Sequence, residues 1–357
     1  MKQNTHLPIL AALTLAASLF LLPNLSAQTP APATTCPAPA PRAAAKVLTI
    51  GNSFADDATA FLRQIAESTG RKLTLFRANL GGCSLERHAR YLRSALANPS
   101  GAEGSPYRNN AKVLGISGKD KVSLPEALAA VEWDFVTIQQ VSTASFKPET
   151  YEPHASEIIA AIRKYAPKAE IVIHQTWAYR EDHALFKKDG GFTQQKMYDG
   201  LRAACNELSA RHGNLRQLPS GDAMQAARAT PRWQYQADKN FDFKNPSAGK
   251  LPVQKGSLNV GWRWREKDGR KEFALDAIHC NTAGRYLTGC VFYEGFYAAD
   301  CTAATFVPQG LAKSDAGDLR QIAHSVSLGK CRKTADADTK CAPDNANKNA
   351  RTKITAQ

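Results

Sequence analysis

The sequence predicts an α/β fold, a three-layer α/β/α sandwich around a mostly parallel five-stranded sheet. Short apolar, β-branched runs alternate along the chain with amphipathic helical segments, a pattern typical of a parallel sheet covered on both faces. The 357 residues are 43% hydrophobic and 22% charged, an ordinary balance for a globular protein. A chain of this length can bury one large core.

Each strand is predicted from a short apolar run that ends at polar or turn-forming residues. The first strand, 46–50, stops at Gly51, and the others are 73–76, 134–139, 169–174 and 215–218. Helices are predicted from apolar stripes and capping residues. They cover residues 56–69, 84–97, 124–131, 149–165, 194–211 and 282–298.

An insertion rich in Gly, Pro and Lys interrupts the alternation at about 233–273. Within it, Lys267-Asp268-Gly269 stands between two aromatic and basic runs, which predicts a β-hairpin. We therefore predict one domain over 46–318 that carries this insertion. Beyond it, residues 319–357 form a polar tail that we expect to be partly disordered.

The N-terminus resembles an export signal. Lys2, an apolar run and small residues before Gln28 predict a signal peptide over 1–27, followed by a Pro/Ala-rich linker over 28–45. We expect a periplasmic or extracellular protein with no stable membrane span after cleavage, and an uncleaved anchor is the alternative. The eight cysteines then permit disulfides, but their pairing stays open.

The formal net charge of +14 favours contact with acidic surfaces. These charges are spread along the chain without a nucleic-acid motif, so no nucleic-acid partner is expected. The cysteines contain no CxxC pair, and the histidines lack metal-ligand spacing. We expect neither a metal nor another cofactor.

Ser53 is the candidate nucleophile. It comes directly after the first strand, and ligands of open α/β sheets gather beyond the carboxyl ends of the strands. Ser53 as a simple helix cap is the alternative. A seryl hydroxyl needs a base, for which histidine is the usual side chain, and a carboxylate orients that histidine. Asp276 and His279, just before the last predicted helix, supply this pair at a spacing that one turn can bring together.

Together these blocks resemble the SGNH superfamily of GDSL-like esterases and lipases, in a poorly characterised bacterial exported branch. Gly51-Asn52-Ser53-Phe54 resembles its nucleophile block, with Asn where Asp is usual, and Asp276-Ala-Ile-His279 resembles its Asp-x-x-His block. The resemblance covers most of residues 46–300. It implies a flavodoxin-like α/β/α fold and acyl transfer by Ser53, His279 and Asp276.

The resemblance also implies an oxyanion hole, a set of donors for the negative oxygen of the intermediate. Asn79-Leu80-Gly81-Gly82 matches the block whose glycine N–H is one donor. We favour Gly82 over Gly81, beside the N–H of Ser53. The third strand ends in Gln139-Gln140, where the family has Gly-x-Asn-Asp. A Gln amide can donate in place of Asn, so Gln140 is the expected third donor and Gln139 should point the other way.

Substrate contacts are expected from Asn52, from Trp177 after the fourth strand, and from Trp262 and Trp264 in the insertion. Trp177 in the core, and the two others on an exposed hairpin face, are the alternatives. Aromatic faces beside a polar site suit sugar rings, and the family includes carbohydrate deacetylases. We therefore predict an esterase that removes acyl groups from carbohydrate or another small ester. A non-catalytic glycan-binding envelope protein is the alternative.

Overall fold

The computed structural model describes residues 40–188 and 190–338. The predicted signal peptide, most of the linker and the end of the tail lie outside the described residues. No helix of the described part is both long and apolar enough to cross a membrane. The described cysteines include four buried ones that form no disulfide, namely Cys83, Cys280, Cys290 and Cys301.

A five-stranded parallel sheet forms the centre of the domain. Across the sheet its strands are, in order, β2 (Lys72–Asn79), β1 (Ala44–Gly51), β5 (Phe135–Ile138), β6 (Glu170–Gln175) and β7 (Gln217–Pro219). The predicted fold class is therefore confirmed. Side chains alternate between the two faces of β1, so that Val47 enters one apolar core and Leu48 the other.

Helices cover both faces of the sheet, and we call the core that contains Val47 the first core and the core that contains Leu48 the second. A small two-stranded ladder, β3 (Tyr107–Arg108) with β4 (Lys121–Val122), packs in the second core. The first core contains apolar residues of α1 (Ser53–Ala58), α2 (Leu62–Glu67), α8 (Ser220–Arg228), α9 (Thr282–Tyr297) and α10 (Lys313–Asp338). The second core contains apolar residues of α3 (Leu85–Ala97), α4 (Ala111–Leu114), α5 (Leu124–Ala129), α6 (His154–Tyr165) and α7 (Gln194–Arg211).

The insertion contains the predicted hairpin, formed by β8 (Asn259–Lys267) and β9 (Arg270–Cys280). Asp268 and Gly269 make its turn with φ values of 51° and 73°. Positive φ at both central residues is the geometry that an Asp-Gly hairpin turn provides. The alternation of parallel strands and helices along the chain is therefore interrupted by an antiparallel strand pair just before α9.

The C-terminal boundary differs from the prediction. Residues 313–338 form α10, and its Ala316, Leu319 and Ala323 are fully buried in the first core. Between residues 313 and 328, polar residues occupy the other sides of the helix, while one apolar stripe faces the protein. The packed part of the domain therefore extends past 318 to at least Ala323, and the partly disordered tail stays a prediction.

Candidate active site

Two distant segments meet where β1 ends. The Ser53 Oγ lies 2.9 Å from the Nε2 of His279, and the Nδ1 of His279 lies 3.0 Å from the Oδ1 of Asp276. Because carboxylate oxygens only accept, Nδ1 carries the proton and Nε2 of neutral His279 accepts from the Ser53 hydroxyl. The structure thus brings together the three residues that the sequence singled out.

Helix α1 presents Ser53 without using it as a cap. The N-cap is Asn52, whose Oδ1 accepts from Phe54 N at 3.1 Å, so the Ser53 hydroxyl is available to His279. One turn further along, Asp57 lies on the same side of the helix. Its carboxylate accepts from Cys280 N and from Arg285 Nε, both at 2.8 Å. Helix α1 therefore holds both the serine and the segment that carries the histidine.

Asp276 and His279 do not lie on a simple turn but in an irregular end of β9. Gly261 pairs with Asp276 and Asn259 pairs with Cys280. An advance of two residues along β8 therefore lies opposite an advance of four residues along β9. The extra residues form a bulge, which re-aims side chains. Within it, Asp276 Oδ1 accepts from the backbone N of His279 at 3.0 Å and folds the segment back on itself.

Two further side chains hold this bulge by the carbonyl of Ile278. Trp177 Nε1 donates to it at 3.0 Å, and Asn259 Nδ2 donates at 3.1 Å. Trp177 is fully buried and stacks on Phe54 with ring centroids 4.3 Å apart. The expectation that Trp177 contacts substrate is therefore wrong, because its ring is packed in the core beneath the site.

The charges of the pair favour an ionised carboxylate beside a basic imidazole. Burial alone would raise the pKa of Asp276, but hydrogen bonds from His279 and Ile278 lower it to about 2. The hydrogen bond to Asp276 raises the pKa of His279 against the opposing effect of burial. The imidazole is therefore a stronger base than a free histidine.

Arg263 is a site residue that the sequence alone had suggested only as a hairpin charge. Its Nη2 donates to Asp276 Oδ2 at 3.1 Å, from the same face of the hairpin. Its side chain is 47% exposed, so this ion pair contributes modestly to stability. The cation also acts weakly to lower the pKa of His279. The cross-strand register set by the predicted turn at Asp268-Gly269 could have revealed it, because that register pairs Gly261 with Asp276 and puts Arg263 on the same face.

Asn52 does not face substrate. It is 1% exposed, and its amide is used on both sides, since Nδ2 donates to Cys83 O at 3.0 Å and Oδ1 also accepts from Gln139 Nε2 at 2.9 Å. The oxygen of Gln139 accepts from His174 Nδ1 at 2.8 Å. The expected substrate contact is therefore replaced by a buried polar network next to the nucleophile.

The expected role of Gln140 is also wrong. Its Oε1 accepts from the backbone N–H of Leu85 at 3.0 Å, and its Nε2 donates to Thr150 O at 2.9 Å. The amide therefore ties the start of α3 to the loop after β5 and has no donor directed at Ser53. The two glutamines do point in different directions, as strand alternation predicted.

The glycine block forms a tight turn beside Asn52. Cys83 N donates to Leu80 O at 3.0 Å, and Gly82, the third residue of this turn, has a φ of 59°. That backbone angle favours glycine. Both Gly81 and Gly82 are exposed, so the turn borders solvent at the site.

Trp262 and Trp264 lie away from the catalytic residues. They alternate with Arg263 along β8, so they occupy the hairpin face opposite the one that carries Arg263 and Asp276. There they pack in a partly buried aromatic cluster, in which the Trp262 and Phe273 rings stack at 4.8 Å. The expectation that they contact substrate at Ser53 is not supported by this placement.

His88 supports the nucleophile from below. It is fully buried, its Nε2 donates to Gly51 O at 2.9 Å, and its Nδ1 accepts from Tyr107 Oη at 2.8 Å. Burial lowers the pKa of His88 to about 4, so the ring is neutral near pH 7.

One group of possible metal ligands occurs in the described part of the chain. Donor atoms of Glu294, Asp300 and Cys301 lie within 4.8 Å of one another at the far end of α9. Glu294 Oε1 already accepts from Cys301 N and from His324 Nδ1. Ser53, Asp276 and His279 have no part in this group.

Fold and site together define an α/β/α protein with a serine, a histidine and a carboxylate in hydrogen-bonded series. Residues 46–245 match the family described as a domain of unknown function, DUF4886, and the chain belongs to that family. The matched region includes Ser53 and Gly82 and ends before Asp276 and His279. No curated protein sequence matches the chain.

Among solved structures, the chain is similar to a DUF4886 family protein from Bacteroides uniformis, with 26% identity and a TM-score of 0.58 over 80% of this chain and 95% of that one. A candidate GDSL-like lipase from Parabacteroides merdae shares 13% identity at a TM-score of 0.39 over 73% and 98% of the two chains. Phospholipase A1 from Streptomyces albidoflavus shares 11% identity at a TM-score of 0.35, over 71% of this chain and 100% of that one. Similarity at these last two levels carries no inference about activity.

Proposed function

We propose that the protein is a serine ester hydrolase that works by acyl transfer. The observation that carries the proposal is the series Ser53, His279 and Asp276, joined at 2.9 Å and 3.0 Å although the serine lies 226 residues from the histidine. Such a series on a sheet edge matches the geometric signature of an activated nucleophile. Both Ser53 and His279 are partly exposed, so a substrate can reach them.

In the first half of the reaction, His279 Nε2 takes the hydroxyl proton as Ser53 Oγ bonds to the ester carbonyl carbon. The carbonyl π electrons move to its oxygen, and Asp276 stabilises the resulting imidazolium. The tetrahedral species then collapses, the carbon–oxygen bond to the alcohol breaks, and His279 protonates the leaving oxygen. In the second half, water attacks the carbonyl carbon of the acyl-serine with His279 as base. The bond from that carbon to Ser53 Oγ then breaks, His279 returns the proton to Oγ, and the acid is released.

The negative oxygen requires donors, for which we propose the backbone N–H groups of Ser53 and Gly82. Ser53 is the first residue of α1, so its N–H has no acceptor within that helix. Gly82 lies in the turn that Asn52 holds through Cys83. Losing one such donor typically lowers kcat by roughly a hundred- to a thousand-fold.

For the substrate we propose an acylated carbohydrate, with O-acetyl esters first, or another small ester. Support comes from the export-type N-terminus, which would place the enzyme among extracytoplasmic glycans, and from the resemblance to a superfamily that includes carbohydrate deacetylases. The hairpin tryptophans lend little support, because they face away from Ser53. The proposal for a sugar therefore rests on location and resemblance.

The test is a hydrolysis screen of purified protein against acetylated oligosaccharides and short p-nitrophenyl esters. We expect turnover of at least one acetyl ester, nearly abolished in Ser53→Ala and His279→Ala. Ser100→Ala, at an exposed loop serine, is the matched control and should keep full activity. Turnover that persists in Ser53→Ala would contradict the proposal. No turnover of any ester by folded protein would favour a glycan-binding role, to be checked with the same oligosaccharides.

A further inference from the structure

The residue before the nucleophile is Asn52, and three hydrogen bonds determine how its amide is oriented. Phe54 N can only donate, so the atom that faces it is the oxygen, while Cys83 O can only accept, so the atom that faces it is the nitrogen. An aspartate of the same size would accept from Phe54 but could not donate to Cys83 when ionised. The presence of asparagine therefore has a chemical reason at this position.

A buried relay fixes Asn52 from the side of the sheet. His174 Nδ1 donates to Gln139 Oε1 at 2.8 Å, and Gln139 Nε2 donates to Asn52 Oδ1 at 2.9 Å. His174 and Gln139 are at most 3% exposed. Gly51 leaves room for the relay, because a Cβ there would lie 2.9 Å from Gln139 Cδ. The oxygen and the nitrogen of both amides have partners, and such hydrogen bonds are strengthened in a low-dielectric interior, while the relay ends at His174 Nε2, which has no hydrogen-bond partner among the described residues.

The bond from Asn52 to Cys83 connects two separate backbone segments. Asn52 precedes Ser53 directly, and Cys83 closes the turn that carries Gly82. A second tie, from Leu80 N to Gly51 O at 3.1 Å, links the same two segments. The distance between the N–H groups of Ser53 and Gly82 therefore depends on the Asn52 side chain.

We propose that Asn52 is a positioning residue that holds the Ser53 and Gly82 N–H groups at the spacing a developing oxyanion requires, with Gln139 and His174 fixing its amide. This inference rests on the proposed hydrolase function. Asn52 acts through the backbone of its neighbours and does not touch substrate. Its contribution falls on the transition state, since the oxyanion forms only there.

Two variants test the proposal in the full chain. Asn52→Asp keeps the size and both acceptor contacts but loses the donor to Cys83, and Asn52→Ala loses all three bonds without adding a charge. In each we expect kcat to fall by about a hundredfold with KM nearly unchanged. Asn240→Asp, at an exposed asparagine of the insertion, is the control and should keep full turnover.

Hydrogen–deuterium exchange supplies a readout that needs no activity. The peptide covering residues 80–84 should exchange faster in both Asn52 variants, while the peptide covering 276–280 should exchange as in the wild type. Unchanged exchange at 80–84, or faster exchange there with wild-type kcat, would overturn the proposal. If the wild type hydrolyses no ester, the hydrolase proposal fails, and exchange at 80–84 alone decides whether Asn52 positions the turn.

Discussion

Asp276→Asn is the most informative single substitution in the catalytic series. The variant keeps the shape of the side chain but removes the charge that accepts from His279 Nδ1 at 3.0 Å. It also places an amide N–H against either Arg263 or the backbone N of His279, where the carboxylate accepts from both. A hydrogen bond to a charged group contributes about 1.5–3 kcal/mol. This corresponds to a loss of about 10- to 150-fold in kcat/KM, less than the loss expected for Ser53→Ala.

The same substitution should change the pH profile in a defined direction. The hydrogen bond to Asp276 raises the pKa of His279, and the base acts only when it is neutral. Without the carboxylate that pKa falls, so the acid limb of kcat/KM moves to lower pH. Asp57 from α1, already paired with Arg285 of α9, and Arg263 from β8 also face this region and stay unchanged. The loss relative to wild type should therefore be smaller at pH 5 than at pH 8.

The assay is kcat/KM against pH for wild type, Asp276→Asn and the control Asp199→Asn, which changes an exposed carboxylate on α7. An acid limb that stays in place, or moves to higher pH, would refute the assignment of Asp276 as the partner of His279. A profile of the control that differs from wild type would show that the shift is not specific to the site.

Two predictions concern the stability contributed by the buried groups around Ser53. Burial lowers the pKa of His88 to about 4 and that of His174 to about 3, so below pH 6.5 only the unfolded state takes up their protons. The free energy of unfolding should fall from pH 6.5 towards 4 by about 1.4 kcal/mol per unit for each histidine. The free energy of unfolding is measured by urea titration at several pH values. Plotted against pH, it should change less steeply in His88→Gln than in the wild type, and equal steepness in both would contradict this prediction. Gly51→Ala should lower the free energy of unfolding by about 1–3 kcal/mol, because the added Cβ clashes with Gln139. The control Gly317→Ala, whose Cβ meets nothing within 4 Å, should leave it unchanged. A Gly51→Ala protein more stable than the wild type would contradict the close packing of Gln139 on Gly51.

The sheet was predictable because it depends on local rules, and the series Ser53, His279 and Asp276 was indicated by the resemblance of its two sequence blocks to known ones. Apolar runs such as 46–50 indicate buried strands, and the residues directly after parallel strands gather at the carboxyl edge of the sheet. Boundaries were less accurate. The predicted helix 56–69 is two short helices that begin at Ser53, because Asn52, and not Ser53, caps the first one.

The residues that support the site depend on contacts between distant segments, which no spacing encodes. Gln139 and Gln140 were assigned by analogy with an Asn at the same place, and only the fold shows that Gln140 holds α3 while Gln139 reaches Asn52. Likewise, the bulge in β9 between Asp276 and Cys280 decides that His279 folds back beside Asp276. A bulge changes register without a clear sequence signal.

The most direct test of the central claim is to trap the nucleophile. The protein is incubated with a fluorophosphonate, which reacts with activated serines, and the adduct is located by peptide mass spectrometry. We predict modification of Ser53 in the wild type and almost none in His279→Ala, because the histidine activates the hydroxyl. An adduct on a different residue, or undiminished labelling of Ser53 without His279, would contradict the assignment of Ser53 as a histidine-activated nucleophile.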